Sequence, residues 1–300
     1  MREFFTIEEN VKGKVAFVTG GTKGIGRATV ETFSQAGINV VFLGRSAKDA
    51  EEIEKQCNAL GKGEVTFRKC EVTNYSELEE CIDYTYNKYG RLDIVFNCAG
   101  IFPPQKPADQ YTIDEFTGVL NNNLVAYFAA IRKALPYIRE SKGVIINIGS
   151  VLGLQGDEGA CAYTAAKGAI QTMTKTLACD EARNGVRVVE IKPGHINTEM
   201  FAKTTSEQDD PEGFVNYSDS LQWMNRGGMP EEIAYTALFL ASEWASFITG
   251  TDILVTGGFE IGEGPKPINP FMASNKDERG ANLFDDQRPM EAWIKSLKQQ

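Results

Sequence analysis

A tyrosine and a lysine four residues apart have the types and spacing needed for proton transfer. Tyr163 and Lys167 lie in the segment Ala-Tyr-Thr-Ala-Ala-Lys-Gly, thirteen residues after Ser150. On a helix, residues i and i+4 share a face, so the spacing places a phenol beside an ammonium, and the cation favours the phenolate. The pattern therefore predicts a tyrosine whose pKa is lowered far enough to exchange a proton near neutral pH.

A glycine-rich turn near the amino terminus is typical of a dinucleotide site. Gly20, Gly24 and Gly26 lie between an apolar run that predicts a strand and a stretch that predicts a helix. Glycines let the backbone approach a pyrophosphate, and the helix N-terminus offers free N–H groups and a positive dipole end. Such a turn can also serve only to pack a helix on a strand, but the strand context favours the nucleotide. The predicted contacts from the turn also include Thr22, Lys23 and Ile25.

The end of the second predicted strand bears on the choice between NAD(H) and NADP(H). Sites that prefer NAD usually carry an acid there, which binds the ribose hydroxyls. This chain has Gly44, followed by Arg45 and Ser46, and Lys23 adds a cation from the glycine turn. Two cations and no carboxylate suit a 2′-phosphate, so we predict that NADP(H) is preferred over NAD(H). The alternative is that both cations are ordinary surface charges.

The elements that must position these residues alternate between strands and helices. Seven short apolar runs are typical of parallel strands buried on both faces; they span 14–19, 39–43, 65–68, 92–96, 144–148, 186–191 and 252–255. The alternation predicts an α/β fold with a seven-stranded, doubly wound parallel sheet of the Rossmann type. We predict one catalytic domain at residues 13–262, after an N-terminal extension at residues 1–12.

Two segments fall outside this alternation. Residues 198–228 mix aromatic and acidic side chains, and an insertion of that length is typical of a substrate lid. Residues 263–300 begin with a Gly/Pro-rich stretch and end with apolar residues at helical spacing. We expect that tail to dock on the domain or on a neighbouring subunit.

Composition narrows the function classes. The chain has 300 residues, 42% of them hydrophobic, and a formal charge of -10 that would repel nucleic acid. No run approaches the roughly 18 apolar residues of a membrane span, and the start lacks a basic region followed by a long apolar one. Six scattered cysteines and one histidine predict reduced thiols and no metal site. We therefore expect a soluble, cytoplasmic protein without a nucleic-acid partner.

Several motifs in order resemble the short-chain dehydrogenase/reductase family from Gly13 to Gly258. They are the glycine turn, Asn97-Cys-Ala-Gly100, Asn123, the set of Ser150, Tyr163 and Lys167, and Pro193-Gly-His-Ile-Asn-Thr198. Beyond the turn, the resemblance implies cofactor contacts from Glu71, Val72, Asn97, Ala99, Gly100, Tyr163, Lys167, Pro193, Gly194, Ile196 and Thr198. Glu71 and Cys98 depart from the aspartate and asparagine that the family carries there, which affects the adenine side.

The resemblance also implies a reaction. Hydride passes between nicotinamide and a substrate carbon, with Tyr163 as the acid and base and Ser150 bonding the substrate oxygen. Lys167 also holds the ribose hydroxyls, and Asn123 holds a water that links Lys167 to solvent. In isolation, a helix N-cap or turn serine is the commoner interpretation of Ser150, and an exposed helix lysine that of Lys167. The family further implies a homotetramer or homodimer.

Three segments, 102–107, 134–139 and 253–262, resemble the 17-beta-hydroxysteroid dehydrogenase type 14 group, which is associated with steroid and sugar alcohol oxidation. The pocket differs from that group. Ile101 and Phe102 stand where the group has a histidine, and Asp157 lies seven residues after Ser150. Arg45 likewise follows Gly44, where the group has an acid. Substrate identity therefore does not carry over.

Seven residues are candidates for substrate contact. Phe102, Leu152, Trp223 and Met224 suggest an apolar wall, Asp157 and Glu158 could meet hydroxyl or amino groups, and His195 reads as a pocket-wall or packing residue. Core packing or a solvated loop is the alternative for each. We predict a small-molecule alcohol or carbonyl substrate, with a lipophilic carbonyl that bears a polar group favoured. The alternatives are a catalytically silent cofactor-binding protein and a reductase of C=N or activated C=C bonds.

Overall fold

Seven strands form one parallel sheet at the centre of the molecule. The computed structural model describes residues 6–262, and the sheet has the order β3-β2-β1-β4-β5-β6-β7 with every neighbouring pair parallel. The strands are β1 (Val15–Val18), β2 (Asn39–Gly44), β3 (Val65–Lys69), β4 (Ile94–Asn97), β5 (Val144–Ile148), β6 (Arg187–Pro193) and β7 (Asp252–Val255). The predicted doubly wound α/β fold is confirmed.

Helices cover both faces of the sheet. They are α1 (Ile7–Val11), α2 (Gly24–Gln35), α3 (Ala47–Ala59), α4 (Tyr75–Tyr89), α5 (Ile113–Leu120), α6 (Ala126–Ser141), α7 (Cys161–Glu181), α8 (Glu199–Ser206), α9 (Pro211–Ser220) and α10 (Pro230–Ala241). Helices α2, α3 and α10 pack on one face through residues such as Phe33 and Leu240. Helices α4, α6 and α7 pack on the other, through residues such as Ile82 and Ile131.

The carboxyl ends of the central strands meet at one edge of the sheet. The strand order reverses between β1 and β4, and open α/β sheets bind their ligands in the crevice at such a point. The glycine turn follows β1, Asn97 ends β4, Ser150 follows β5 and Pro193 ends β6. The topology therefore gathers four of the sequence motifs around a single crevice.

Some boundaries differ from the sequence-based expectation. Strand β6 continues to Pro193, because Pro193 lies in register with Val255 of β7. The segment 198–228 contains α8 and α9, and an Ile196–Gly228 bridge closes its base. Within residues 1–12, the buried side chain of Val11 joins the core.

The C-terminal tail predicted at 263–300 lies outside the described residues. None of the helices within 6–262 is long and apolar enough to cross a membrane.

Candidate active site

Glycines shape the turn between β1 and α2 because side chains would not fit there. A Cβ at Gly26 would overlap the carbonyl oxygen of Gly20, and a Cβ at Gly20 would lie 2.8 Å from the Cα of Ala99. Gly20 and Gly24 have φ of +69° and +50°, in the left-handed region that favours glycine. Helix α2 begins at Gly24 without a side-chain cap from Lys23. The turn thus exposes the helix N-terminus, as the nucleotide interpretation requires.

The loop after β4 lies directly against this turn. The hydroxyl oxygen of Thr19 accepts hydrogen bonds from the backbone N–H groups of Cys98 and Ala99, at 3.0 and 3.2 Å. Val72 and Ala99 belong to one small buried cluster. The structure therefore brings the predicted contacts Val72 and Ala99 beside the glycine turn.

One residue near the turn was missed by the sequence analysis. The backbone N–H of Gly24 donates to Oε2 of Glu199 at 2.9 Å, so a carboxylate from the first residue of α8 binds the N-terminus of α2. Thr198, a predicted cofactor contact, caps α8 by accepting from the N–H of Phe201 at 3.3 Å. Its methyl carbon lies 3.0 Å from where a Cβ of Gly24 would be. The only sequence signal for Glu199 was its position directly after Thr198.

Two carboxylates accompany the cations predicted to favour NADP(H). Lys23 Nζ lies 3.8 Å from Oδ2 of Asp49, and Arg45 lies 3.6 Å from Oε2 of Glu71. The expectation that no carboxylate is near these cations is therefore wrong. Asp49 was not predicted to lie near Lys23, because it belongs to the first turn of α3 and not to the end of β2. The Lys23 and Arg45 side chains are nevertheless 61% and 73% exposed, so both cations can still turn to a phosphate.

The absence of a side chain at Gly44 has a packing reason. A Cβ there would overlap the Cγ2 atom of Thr22. Thr22 is itself buried in the glycine turn. An acid at the end of β2 is therefore sterically incompatible with the threonine that this turn carries.

Helix α7 holds Tyr163 and Lys167 one turn apart, as the spacing predicts. The ammonium of Lys167 is buried and donates to the carbonyl of Ile148 at 2.7 Å. It lies 5.7 Å from the centre of the Tyr163 ring and 5.4 Å from that of Tyr127. Ser150 is 8% exposed, and its hydroxyl interacts with the Tyr163 phenol.

The protonation of this pair differs from the expectation. Burial raises the pKa of Tyr163 to about 12, while the hydrogen bond with Ser150 lowers it and the Cys98 thiol raises it. Burial likewise lowers the pKa of Lys167 to about 8. The predicted lowering of the tyrosine pKa by Lys167 is therefore wrong for the protein alone. Desolvation outweighs the charge effect because the ammonium is directed to the Ile148 carbonyl.

Asn123 supports the backbone of a neighbouring loop. It lies in a π-helical turn, Asn121–Val125, between α5 and α6 and is fully buried. Its Oδ1 accepts from the N–H of Ile101 at 2.9 Å, and its Nδ2 donates to the Ile101 carbonyl at 2.8 Å. These bonds fix the loop that carries Phe102. The water expected between Asn123 and Lys167 stays a prediction.

The predicted apolar wall and polar groups fall on two loops that face each other. The Phe102 ring meets the Tyr163 ring edge-on, with centres 4.8 Å apart. Gln105 Nε2 donates to Asp157 at 2.8 Å and to the Glu158 carbonyl at 2.9 Å. Asp157 and Glu158 are exposed, and burial raises the pKa of the Asp157 carboxyl. Phe102 and Asp157 thus lie on loops that are bonded together around the tyrosine.

Ser150 is also the N-cap of a short helix, which was its alternative interpretation. Its hydroxyl accepts from the N–H of Leu152 at 3.1 Å, which caps the short helical turn Val151–Gly153. The cap fixes the backbone at Leu152. The Ser150 hydroxyl oxygen that forms it also lies next to Tyr163.

The remaining substrate candidates lie at the base of the lid segment. Nδ1 of His195 is 3.4 Å from Oδ1 of Asp219, and its ring centre is 3.8 Å from that of Phe201, so the imidazole packs against an aromatic ring. The N–H of Met224 donates to the Gly257 carbonyl at 3.0 Å. Trp223 approaches Gly258, with its Cβ 3.0 Å from the place of a glycine Cβ. Trp223 and Met224 therefore pack on the turn after β7, where Met224 and Ile196 border a cavity of about 260 Å³.

A polar layer between α7 and the sheet was also missed. Glu190 and Lys192 in β6 are both fully buried and form an ion pair. Asn97 of β4 donates to Asn147 of β5 at 2.9 Å within the same layer. The signal in the sequence was two charged residues inside an otherwise apolar run.

Comparison with known proteins identifies the family of this chain. A family model described as enoyl-(acyl carrier protein) reductase matches residues 20–260. The L-fucose dehydrogenase of Mus musculus is 39% identical over 85% of this chain and 91% of its own. The 3beta-hydroxysteroid dehydrogenase 1 of Eggerthella lenta is 34% identical over 85% of this chain and 99% of its own. The chain belongs to the short-chain dehydrogenase/reductase family.

A solved structure supports the same assignment. The aldohexose dehydrogenase of Thermoplasma acidophilum superposes with a TM-score of 0.76 at 31% identity, covering 86% of this chain and 97% of its own. Members of this family are oxidoreductases that use a nicotinamide cofactor, NAD(H) or NADP(H). The chain is thus a nicotinamide-dependent oxidoreductase.

Proposed function

We propose that the protein is an NADP(H)-dependent oxidoreductase that interconverts an alcohol and its ketone or aldehyde, with Tyr163 as acid and base. The observation that carries this proposal is the placement of Tyr163 and Lys167 one turn apart on α7, with Ser150 beside the phenol. The three side chains lie at the sheet edge to which the glycine turn also belongs. This arrangement supports proton transfer and cofactor binding in one crevice.

The residues fit a dinucleotide. The glycine turn leaves space that a Cβ would fill, and α2 offers its N-terminus to a pyrophosphate. A bound nicotinamide supplies hydride in the reductive direction and accepts it in the oxidative one. Lys23 and Arg45 would bind the 2′-phosphate, and Lys167 the ribose hydroxyls. Pro193, Gly194 and Ile196 continue β6 along the same edge.

Tyr163 moves the proton and Ser150 positions the substrate. In reduction, the phenol of Tyr163 donates its proton to the carbonyl oxygen; in oxidation, the phenolate takes the hydroxyl proton back. The Ser150 hydroxyl donates to the same oxygen and stabilises its developing charge. Because burial raises the pKa of Tyr163 to about 12, the positive charges of Lys167 and the oxidised nicotinamide must lower it in the complex.

The substrate class follows from the two facing loops. Phe102 offers an aromatic surface against Tyr163, while Asp157 and Gln105 offer hydrogen-bonding groups. We propose a lipophilic carbonyl that also carries a polar group, with the segment 198–228 as the lid over it. The names of the relatives include a hydroxysteroid dehydrogenase and a sugar dehydrogenase, and the proposed class lies nearer to the hydroxysteroid. We also propose a cytoplasmic homotetramer or homodimer, and the likeness to the 17-beta-hydroxysteroid dehydrogenase type 14 group.

The test follows the oxidation of NADPH and NADH, and the reduction of NADP⁺ and NAD⁺, by the purified protein. The panel holds steroid ketones, retinoid and terpenoid carbonyls, quinones, sugars and their alcohols, with the Tyr163→Phe variant as control. We expect turnover that depends on Tyr163 and is faster with NADPH. Turnover of small sugars alone would refute the substrate class, and tighter binding of NAD⁺ would refute the cofactor preference.

A further inference from the structure

An ion pair lies fully buried in β6, directly before the active-site loops. Lys192 Nζ lies 2.6 Å from Oε1 of Glu190, and both side chains are 0% exposed. Removing two charges from water costs several kcal/mol for each ion, and a mutual attraction often fails to offset it. Hydrophobic residues of similar volume would stabilise the strand at least as well, so the pair calls for a functional reason.

The pair flanks the strand position that lies beside Ile148. Ile148 of β5 lies in register with Ile191, which stands between Glu190 and Lys192. The ammonium of Lys167 donates to the carbonyl of that same Ile148. Because side chains alternate along a strand, Glu190 and Lys192 project to one face, and α7 covers it.

Helix α7 matches this face with its own polar stripe. Lys167, Gln171 and Thr174 follow one another at helical spacing on α7. Gln171 donates to Asp252 of β7, and Thr174 accepts from Asn147 at 3.0 Å. Asn147, Glu190 and Asp252 occupy one row across β5, β6 and β7. Lys167 thus sits at the end of a continuous polar layer whose buried charges include Glu190 and Lys192.

The carboxylate of Glu190 also contacts the backbone that carries Ser150. A Cβ at Gly149 would overlap Oε1 of Glu190, so only glycine fits before the serine. The N–H of Gly149 donates to the Ile191 carbonyl at 2.8 Å. Within residues 6–262, the second oxygen of Glu190 has no hydrogen-bond partner. The position of Ser150 therefore depends on a carboxylate that is only partly satisfied.

We propose that Glu190 is a positioning residue of the reaction: its carboxylate, held by Lys192, stabilises the ammonium of Lys167 and fixes the Gly149 backbone before Ser150. The proposal rests on the proposed role of Tyr163, because Lys167 acts through that phenol. Neither Glu190 nor Lys192 touches the substrate in this assignment.

The charges in the layer agree with the proposal. Burial lowers the pKa of Lys167, Cys98 and Glu190 raise it, and Lys192 lowers it. Burial raises the pKa of Glu190 to about 7, while Lys192 opposes that rise. The titratable groups that face this layer from every adjoining element are Cys98, Tyr127, Tyr163, Lys167, Glu190, Lys192 and Asp252.

The experiment measures the titration of Lys167 directly. Lysine labelled with ¹³C at Cε reports its own protonation by NMR, and the Lys167→Arg variant assigns the signal. Glu190→Gln keeps the shape of the side chain and removes its charge, so the Lys167 midpoint should fall by about one pH unit. The alkaline limb of the pH profile of kcat/KM should move with it. An unchanged or higher midpoint would overturn the proposal.

Two further variants separate a charge effect from a structural one. Glu190→Asp keeps the charge and shortens the side chain, so the Lys167 midpoint should stay within about 0.3 pH unit of that of the unchanged protein; a fall of about one pH unit would overturn the proposal even if Glu190→Gln does not fold. Asp252→Asn is the matched control, because this carboxylate lies in the same row and is bonded to Gln171 of α7. A shift with Asp252→Asn equal to that with Glu190→Gln would contradict a specific role. The NMR titration needs no substrate, so it remains decisive even if Tyr163→Phe retains turnover.

Discussion

The glycine turn and the polar layer beneath α7 lie at the same edge of the sheet but encode function in different ways. The turn works through side chains that are missing, since Gly20 and Gly26 leave room for backbone contacts. The layer works through buried charges, and Lys167, Glu190 and Lys192 each depend on partners from distant parts of the chain. A substitution should therefore disturb the glycine turn mainly through its volume and the polar layer mainly through its charge.

The largest effect on turnover is expected from Tyr163, on the helix that covers the polar layer. Tyr163→Phe keeps the ring against Phe102 but removes the proton that the reaction needs. Turnover should fall by at least about 10³-fold, with the cofactor Kd unchanged within about twofold. Steady-state kinetics and a fluorescence titration with NADPH check the two parts. Retained turnover would remove Tyr163 from the mechanism.

A methyl group in the turn should abolish binding rather than chemistry. Gly26→Ala places a Cβ on the Gly20 carbonyl, so the turn must open and the cofactor Kd should rise at least about tenfold. Gly118→Ala in α5 is the control, because its Cβ would meet no atom within 4 Å. That control should leave cofactor binding unchanged and add up to about 1 kcal/mol of stability. Equal effects from the two variants would contradict the packing argument.

The buried ammonium should make stability depend on pH. Folding lowers the pKa of Lys167 from 10.5 to about 8, so between these values the unfolded chain binds more protons. The contribution of Lys167 to the free energy of unfolding therefore rises with pH across this window, by up to about 3 kcal/mol. Lys167→Met should flatten the rise between pH 8 and pH 10, as measured by urea unfolding, whereas the exposed Lys203→Met should not. If the free energy of unfolding still rises over this pH range in Lys167→Met, another group causes the rise.

The cations beside the turn should affect one cofactor only. Arg45→Ala removes a side chain that is 73% exposed and lies 3.6 Å from Glu71. The Kd for NADP⁺ should rise about tenfold while that for NAD⁺ stays nearly constant. Calorimetric titration with both cofactors measures this, with the exposed Lys55→Ala in α3 as control. A parallel loss for both cofactors would show that Arg45 does not recognise the 2′-phosphate.

The smallest effect concerns the carboxylate at the N-terminus of α2. Glu199 accepts from the N–H of Gly24, and a pyrophosphate bound there would compete for the same donor. Glu199→Gln should therefore tighten cofactor binding about two- to fivefold. Glu207→Gln, at the other end of α8, should leave the Kd unchanged. Weaker binding in Glu199→Gln would mean that the carboxylate supports the turn instead of competing with its ligand.

The sequence predicted what depends on local spacing. The seven strands, the glycine turn and the one-turn separation of Tyr163 and Lys167 follow from periodicity and from residue types close together in the chain. It missed what depends on burial and on distant partners. The high pKa of Tyr163 comes from desolvation, and the pairing of Arg45 with Glu71 joins two strand ends. Neither the burial of Tyr163 nor the pairing of Arg45 with Glu71 can be predicted from a window of a few residues.

The packing of Thr22 against Gly44 has a consequence for changing cofactor use by mutation. Because any side chain at Gly44 overlaps Thr22, replacing the glycine with an acid alone should yield a poorly folded intermediate. Replacing Thr22 by a smaller residue first makes room for a side chain at position 44. The order of the two substitutions therefore decides whether the single variant between them is a working enzyme. The two positions are expected to be strongly epistatic, and cofactor choice in this chain is constrained by that step.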